Sequence, residues 1–548
     1  MKTTKYTFYI ILLLGLCLRL YFAFSSHYIS PDGTQYASLG YHLFHDFHYS
    51  SNGGQFPDII QPPLYPFLLG IFTFILHPEY AGKVVSLIFG LALIWGMFRF
   101  TLKLTANQKL ALSSALFVAV DPALVAVSSQ VATEALYLFL LFCLYALVLL
   151  YLLKAPLFKQ IIAAGIVTGL VYLTRPEGIL YFGLIVLVLL LWRKPWRHVL
   201  TYMFIVFSFI AVYAFAVHSV LGYQSISPKL NFVRAQGKVS RYFLQQDRQL
   251  KRKVSTKVHE QRFRYALAPD KKELLANEIF NRKKAALNHV NTGHSKVKNP
   301  SLLLQRFAKH LLTNFILAAK KFLTGWAFPW GFWLFLLFGL WRFPLKKWSE
   351  AVLFSAIFIL PVGAVLFSNV EQRFFFIVPV LLAPLLGRGF LQMGRGLKKY
   401  IGIQKSPALS WIILLLFVIL SVYPGYGDIW QKTSAKGYYY DLGQRLKREI
   451  PSGQKVAASV PQAVFFAGRL YCPLPFAPLD SLELYLRHKQ AAFILLEEKD
   501  RQLRPGCIDI KHLPPFLELT KTWTINNKQF MLLHVKKENA HERTNANH

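Results

Sequence analysis

The chain has 548 residues, of which 54% are apolar and 16% aromatic, with a mean hydropathy of +0.37. That is too apolar for an ordinary soluble enzyme, and many uncharged runs approach the ~20 residues that a membrane-spanning helix needs. The formal net charge of +36 fits basic cytoplasmic loops beside anionic lipid better than a nucleic-acid partner, and no P-loop, GxGxxG, HExxH or CxxC motif is present.

The N-terminus, MKTTKYTFYIILLLGLCLRLYFAF, has basic residues followed by an apolar run. A secretion signal has that order, but here the run is long, Arg19 interrupts it and no small-x-small cleavage site follows, so a retained first helix is expected. Apolar spans follow at 66–76 with 83–100, 110–126, 134–153, 160–174, 177–192, 199–220, 322–341, 350–368, 374–391 and 408–424. The pieces at 66–76 and 83–100 read either as one broken helix or as an interfacial helix plus a span. Together with the first helix at 7–25 they predict an all-α polytopic membrane domain of about eleven transmembrane helices.

Positive charge orients it. The links carrying Arg99/Lys103/Lys109, Lys154/Lys159, Arg193/Lys194/Arg197, Arg342/Lys346/Lys347 and Arg395/Lys398/Lys399/Lys405 fall on one side if the spans alternate from a cytoplasmic N-terminus. The positive-inside rule makes that side cytoplasmic. The opposite side then receives the loop 27–62, the link from Asp121 to Glu134, the turn Arg175-Pro176-Glu177, a segment at 221–315, the link Asn369–Arg373 and everything after about 425. Acidic residues near span ends thus converge on the outer face, as a site at the outer membrane interface requires.

The 221–315 segment is basic, and long external loops are largely exempt from the charge rule. Within it KELLANEIFNRKKAALNHV reads as an amphipathic helix, either a solvated face or a clamp on anionic lipid headgroups or an acidic acceptor. From about 436 to 536 the chain alternates helix-like YYYDLGQRLKREI and SLELYLRHK with strand-like KVAASV, AAFILLEE and FMLLHV, which predicts a small α/β domain. The boundaries expected are a transmembrane half at 1–220, the basic external insertion at 221–315, further transmembrane helices at 316–424, an external α/β domain at 425–536 and a disordered tail at 537–548. Cys17 and Cys143 lie in apolar spans; Cys472 and Cys507 lie in the external domain, as a disulfide or as two separate thiols.

Chemistry-bearing residues sit at the outer span ends. Asp32, in Pro31-Asp32-Gly33-Thr34, is the acidic residue of the first external loop. It reads either as the cap of a helix beginning at Gly33 or as a general base that takes the proton of an acceptor hydroxyl. That helix carries Tyr36 on an apolar face suited to the interface, then His42, His45, Asp46 and His48, which are better placed for water than for metal. Gln61-Pro62-Pro63-Leu64-Tyr65-Pro66 is a rigid entry that places Tyr65 at the interface. Glu134 opens a span and suits its helix dipole, or supplies a second carboxylate. Arg175 and Glu177 join two short apolar runs, where a charged turn lines a cavity or reaches water, as a phosphate contact or as a structural pair. Glu371 and Arg373 precede Phe374-Phe375-Phe376; the planar Arg373 fork suits phosphate oxygens, and an interfacial anchor is the plainer reading.

The order of PDGTQYASLGYHLF, QPPLYPFLLG, SQVATEALYLFL, LTRPEGILYF and EQRFFFIVPVLLAPLLGRG resembles the GT-C glycosyltransferases, specifically bacterial relatives of the protein O-mannosyltransferases and of the lipid A aminoarabinose transferase. The resemblance implies an inverting sugar transfer from a polyprenyl-phosphate donor to a lipid, glycan or protein acceptor on the extracytoplasmic face of a bacterial inner membrane. It implies a catalytic role for Asp32 and a donor-phosphate contact for Arg373, with Glu134, Arg175, Glu177, Glu371, Tyr36 and Tyr65 as further substrate-binding candidates. It implies no cofactor, and the sequence offers no clear cluster for a divalent metal. Protein O-mannosyltransferases often carry an adjacent Asp-Glu pair where this chain has Asp32-Gly33, which favours the lipid- or glycan-modifying branch. The rival class is a transporter or lipid flippase, which would place charges at mid-bilayer and often repeat its fold.

Overall fold

The computed structural model describes residues 2–25, 27–51, 61–153, 157–221, 226, 300–324, 328–363, 372–400, 407–474, 479–498 and 513–536. Glu371, Cys507, the amphipathic stretch of the insertion and the tail beyond 536 therefore lie outside the described residues. Two compact units form. One is built from Met1–His27, Pro62–Tyr213 and Val297–Ala435; the other joins Tyr28–Gln61 to the C-terminal region from Lys436 onward.

The first unit is helical. Its N-terminal helices are α1 (Lys2–Phe24), α3 (Leu64–Phe72), α4 (Pro78–Thr105), α5 (Gln108–Val120), α6 (Pro122–Ser128), α7 (Glu134–Leu153), α8 (Phe158–Thr174), α9 (Gly178–Leu191) and α10 (Trp196–Leu221). After the insertion come α11 (Pro300–Thr324), α12 (Trp330–Leu340), α13 (Leu345–Gly363), a single 3-10 turn at Gln372–Phe375, α14 (Ile377–Tyr400) and α15 (Pro407–Ser434). Among the described residues six helices are long and apolar enough to cross a membrane, or seven with α5 and α6 counted as one bent span. Five shorter apolar helices accompany them, so the protein is a multi-pass membrane protein.

The 66–76 and 83–100 pieces are two separate helices, α3 and α4, so of the two readings the single broken helix falls away. Two other spans differ from the sequence reading. The stretch read as a span at 322–341 is the end of α11 followed by α12, which starts after Pro329. The last helix continues through Pro424 to Ser434.

The span read at 110–126 bends by 61° between α5 and α6. The cause is Pro122. It has no N–H to return to the Val118 carbonyl, and the turn that follows strands the next carbonyls as well. Arg19, the charge that interrupts the first apolar run, supplies the missing donors. Fully buried, its guanidinium donates to Val118 O at 3.3 Å, Ala119 O at 3.0 Å, Gly15 O at 3.0 Å and Ser128 Oγ at 2.8 Å. Tyr426 of α15 donates to Val120 O at 2.9 Å. Asp121 caps α6 by accepting from Leu124 N at 3.0 Å, and its buried charge is balanced in part by Arg19. A second buried charge, Lys83 of α4, pairs with Glu79 at 2.6 Å and donates to Ala23 O at 2.8 Å near the end of α1. A cation there suits the carbonyls of a helix C-terminus.

The second unit holds α2 (Pro31–His45), α16 (Tyr438–Glu449), α17 (Pro461–Phe466), α18 (Leu479–Lys489) and a five-stranded sheet. The strands are β1 (Lys455–Ala458), β2 (Leu470–Pro473), β3 (Ala491–Glu497), β4 (Leu517–Ile525) and β5 (Lys528–Val535), in the order β2-β1-β3-β5-β4. β1 runs parallel to β2 and β3, whereas β5 runs antiparallel to β3 and β4. Side chains alternate faces along a strand. Ala457, Ile494, Leu496 and Leu533 therefore meet Leu482, Tyr485 and Leu486 of α18, while Val456, Leu495, Phe530 and Leu532 meet Tyr438, Leu442 and Leu446 of α16 and Val464 of α17. The β4–β5 turn uses Asn526 and Asn527, both at positive φ (51° and 57°), the geometry that suits a tight hairpin. Cys472 is buried in this core with Sγ 3.0 Å from the Tyr485 hydroxyl, and burial pushes its thiol up to about 12. The pairing read with Cys507 lies outside the described residues.

Candidate active site

In the first external loop, Ser30 caps α2: its Oγ accepts from Gly33 N at 2.9 Å, and Pro31 occupies the first turn without needing a partner. The cap is thus Ser30 and not Asp32, which leaves the Asp32 carboxylate in the first turn, half-buried, where the helix dipole favours an anion. Burial, and after it the Asp32 charge, raise the Tyr28 phenol above its usual value, and Lys436 Nζ lies 5.2 Å from the centre of the Tyr28 ring. Neither Tyr28 nor Lys436 is marked by a motif; the aromatic–lysine contact forms only when the loop and the start of the C-terminal region meet. The buried side of α2, including Tyr36, Ala37, Leu39 and Gly40, belongs to a helix that contacts α17.

Tyr36 is enclosed within the loop rather than presented at its surface. Its hydroxyl donates to Gln61 Oε1 at 3.2 Å, Gln61 Nε2 donates to Gln35 Oε1 at 3.0 Å, and Tyr49 donates to Gln61 O at 2.8 Å. His42 pairs with Asp46 at 2.5 Å, and the His45 ring stacks on Tyr41. Among the described residues no group of three His, Cys, Asp or Glu side chains could hold a metal ion.

Tyr65 is not at an interface. It is fully buried, donates to Gly82 O at 3.0 Å, meets Ser86 Oγ at 3.0 Å and accepts from Ala132 N at 3.0 Å. It ties α3 to α4 and to the link before α7.

A separate cluster forms within the helical unit. Glu134 is the first residue of α7, Arg175 ends α8, and Arg373 lies in the 3-10 turn before α14. Arg175 is held extended (φ −148°, ψ 129°), as a residue before proline prefers. Gly178 lets α9 start hard against α8, since a Cβ there would stand 2.7 Å from Tyr172 N. The result is one shared oxygen: Glu134 Oε1 accepts from Arg175 Nη1 at 3.1 Å and from Arg373 Nη1 at 3.4 Å. Arg175 Nη2 also lies 3.7 Å from Glu177 Oε1. Phe374 packs beside both guanidiniums, at 5.7 Å from Arg175 and 5.8 Å from Arg373, and Tyr137 lies 5.4 Å from Arg175. These rings shield the cations from water and stabilise them through their faces.

The cluster forms the polar end of a cavity of about 220 Å³. Leu138, Leu141, Leu180, Pro361, Val362 and Ile377 line the rest. Arg175 is nearly buried at 7% side-chain exposure, while Arg373 at 34% is open to an incoming group. A cavity with two guanidiniums held by carboxylates at its polar part and an otherwise apolar wall suits an amphiphilic anion that can take the place of a carboxylate on the arginines. The sequence reading names these four residues as site-lining; the structure brings together Glu134, Arg175, Glu177 and Arg373.

A family model described as dolichyl-phosphate-mannose-protein mannosyltransferase matches residues 60–221. No curated protein sequence matches the chain. Among solved structures, ArnT from Cupriavidus metallidurans bound to undecaprenyl phosphate is 12% identical, with 95% of this chain and 97% of that one covered and a TM-score of 0.54. The apo oligosaccharyltransferase of Archaeoglobus fulgidus is 14% identical, covering 90% of this chain and 69% of that one at a TM-score of 0.54. The archaeal oligosaccharyltransferase AglB from the same organism, in complex with an inhibitory peptide and a dolichol-phosphate, is 13% identical, with the same coverages and a TM-score of 0.51. The chain therefore has the fold of the GT-C glycosyltransferases. The stretch that the family model matches, residues 60–221, includes Glu134, Arg175 and Glu177.

Proposed function

We propose that this protein is an inverting membrane glycosyltransferase that moves a sugar from a polyprenyl-phosphate donor to a lipid, glycan or protein acceptor. The observation that carries the reading is the Arg175–Glu134–Arg373 cluster at the end of an apolar-walled cavity. In this reading a phosphate takes the place of the Glu134 carboxylate between the two guanidiniums, and the first isoprene units lie along the leucine-lined wall. The relatives in structure that hold undecaprenyl phosphate and dolichol-phosphate support this choice of donor.

In the transfer the acceptor hydroxyl attacks the anomeric carbon from the face opposite the phosphate. The carbon–oxygen bond to phosphate breaks, its electron pair leaves with polyprenyl phosphate, and the hydroxyl proton passes to Asp32. Fixed cations stabilise the charge that develops on the departing phosphate and need no reorganisation to do so. Glu371 is a further candidate beside Arg373. The active face is extracytoplasmic, on a bacterial inner membrane, as the distribution of basic links supports.

Binding of undecaprenyl phosphate to the purified full chain tests the cavity's role. Arg373→Ala should weaken it at least tenfold, by about 1.4 kcal/mol or more. Unchanged binding by a folded Arg373→Ala protein would remove the basis for the donor site.

A further inference from the structure

Glu134 sits where a phosphate oxygen would be expected. One of its oxygens faces both arginines, at 3.1 and 3.4 Å, and its side chain is only 12% exposed. Two arginines and the two carboxylates of Glu134 and Glu177 make the cluster neutral by formal charge. A polyprenyl-phosphate sugar is a phosphodiester with about one negative charge, whereas the polyprenyl phosphate left after transfer approaches two near pH 7. The site therefore faces a product more strongly anionic than its donor, and without a counterweight it would hold that product most tightly.

We propose that Glu134 is an internal competitor for the phosphate: it clasps Arg175 and Arg373 and limits retention of the polyprenyl-phosphate product. This rests on the reading of the cavity as the donor-phosphate site. The geometry allows the exchange. The longer of the two contacts is to Arg373, the more exposed arginine, so an entering phosphate meets that arm first. Glu134 is not stranded when it yields. It lies at the N-terminus of α7, where the helix dipole favours an anion, and Thr133 Oγ1 donates to its other oxygen at 3.4 Å. Arg175 stays in place meanwhile through Glu177 and the flanking Tyr137 and Phe374 rings.

The test measures undecaprenyl phosphate binding to the full chain in lipid nanodiscs for wild type, Glu134→Gln and Arg373→Ala. Glutamine keeps an oxygen acceptor for the arginines but removes the charge, so Glu134→Gln should bind about tenfold tighter. In steady-state transfer it should lower KM and kcat together, because product release becomes slow. Equal or weaker binding by Glu134→Gln, with Arg373→Ala still impaired, overturns the competitor role and leaves the donor site standing. Unchanged binding by Arg373→Ala overturns both. Should Glu134→Gln fail to fold, Glu177→Gln removes the other negative charge beside Arg175 and should tighten binding about threefold; no tightening there counts against the proposal.

Discussion

The bend between α5 and α6 offers a quantitative test of how this membrane unit is held. Arg19→Met keeps the length and apolar character of the side chain but removes every donor. The Val118 carbonyl, which Pro122 cannot serve, and the Ala119 carbonyl beside it lose their partners at 3.3 and 3.0 Å. Each buried acceptor left without a hydrogen bond costs about 1–3 kcal/mol. Asp121, 1% exposed, also loses the opposing charge of Arg19. Removing the cost of burying a guanidinium offsets part of this, and the net loss should be about 2–4 kcal/mol for two buried carbonyls left without a donor. The assay is thermal inactivation of the full chain in detergent, comparing Arg19→Met in wild type and in a Pro122→Ala background. Alanine at 122 restores an N–H to the Val118 carbonyl, so Arg19→Met should cost less there, by ~1–2 kcal/mol. An equal cost in both backgrounds, or no cost in wild type, would refute the claim that Arg19 exists to satisfy the break.

Other consequences are smaller. Tyr65→Phe leaves the Ala132 N–H without its 3.0 Å acceptor and should destabilise the helical unit by ~1–3 kcal/mol, seen as a lower midpoint in the same thermal assay. In the α/β unit, burial lowers the Lys489 ammonium from the ordinary 10.5 to about 8. A lysine whose folded value is depressed penalises the fold while it is charged, so stability should rise as pH climbs from about 8 toward 10.5. Lys489→Met should therefore stabilise the unit at pH 7 and lose that advantage near pH 10, as hydrogen exchange of β3 corrected for intrinsic rates would report.

The sequence made the span ends legible because burying a charge in lipid is so costly that Glu134, Arg175 and Arg373 stand out against apolar runs. That Glu134 and Arg373, 239 residues apart in sequence, share one carboxylate oxygen is a tertiary fact with no local signature. Arg19 was visible as an interruption of the first span, but its reason lies in Pro122, which hydropathy does not register. Tyr36 and Tyr65 look alike as aromatic residues beside interfacial motifs; only the hydrogen bonds to Gln61 and to Ala132 show them turned inward. In the α/β unit, β1, β3 and β5 announce themselves through apolar runs. Strands β4 and β2 have no clear apolar signature because both lie at sheet edges: only Leu517 and Trp523 are buried along LELTKTWTI, and only Cys472 and Pro473 along LYCP.

The central claim is that Asp32 serves a sugar transfer from a lipid-linked donor. Membranes containing wild-type or Asp32→Asn protein, supplied with polyprenyl-phosphate sugars and a membrane acceptor fraction, test it directly. Loss of the base should reduce transfer by about 10²–10⁴-fold at equal expression, with undecaprenyl phosphate binding retained. Full transfer by Asp32→Asn would contradict the account.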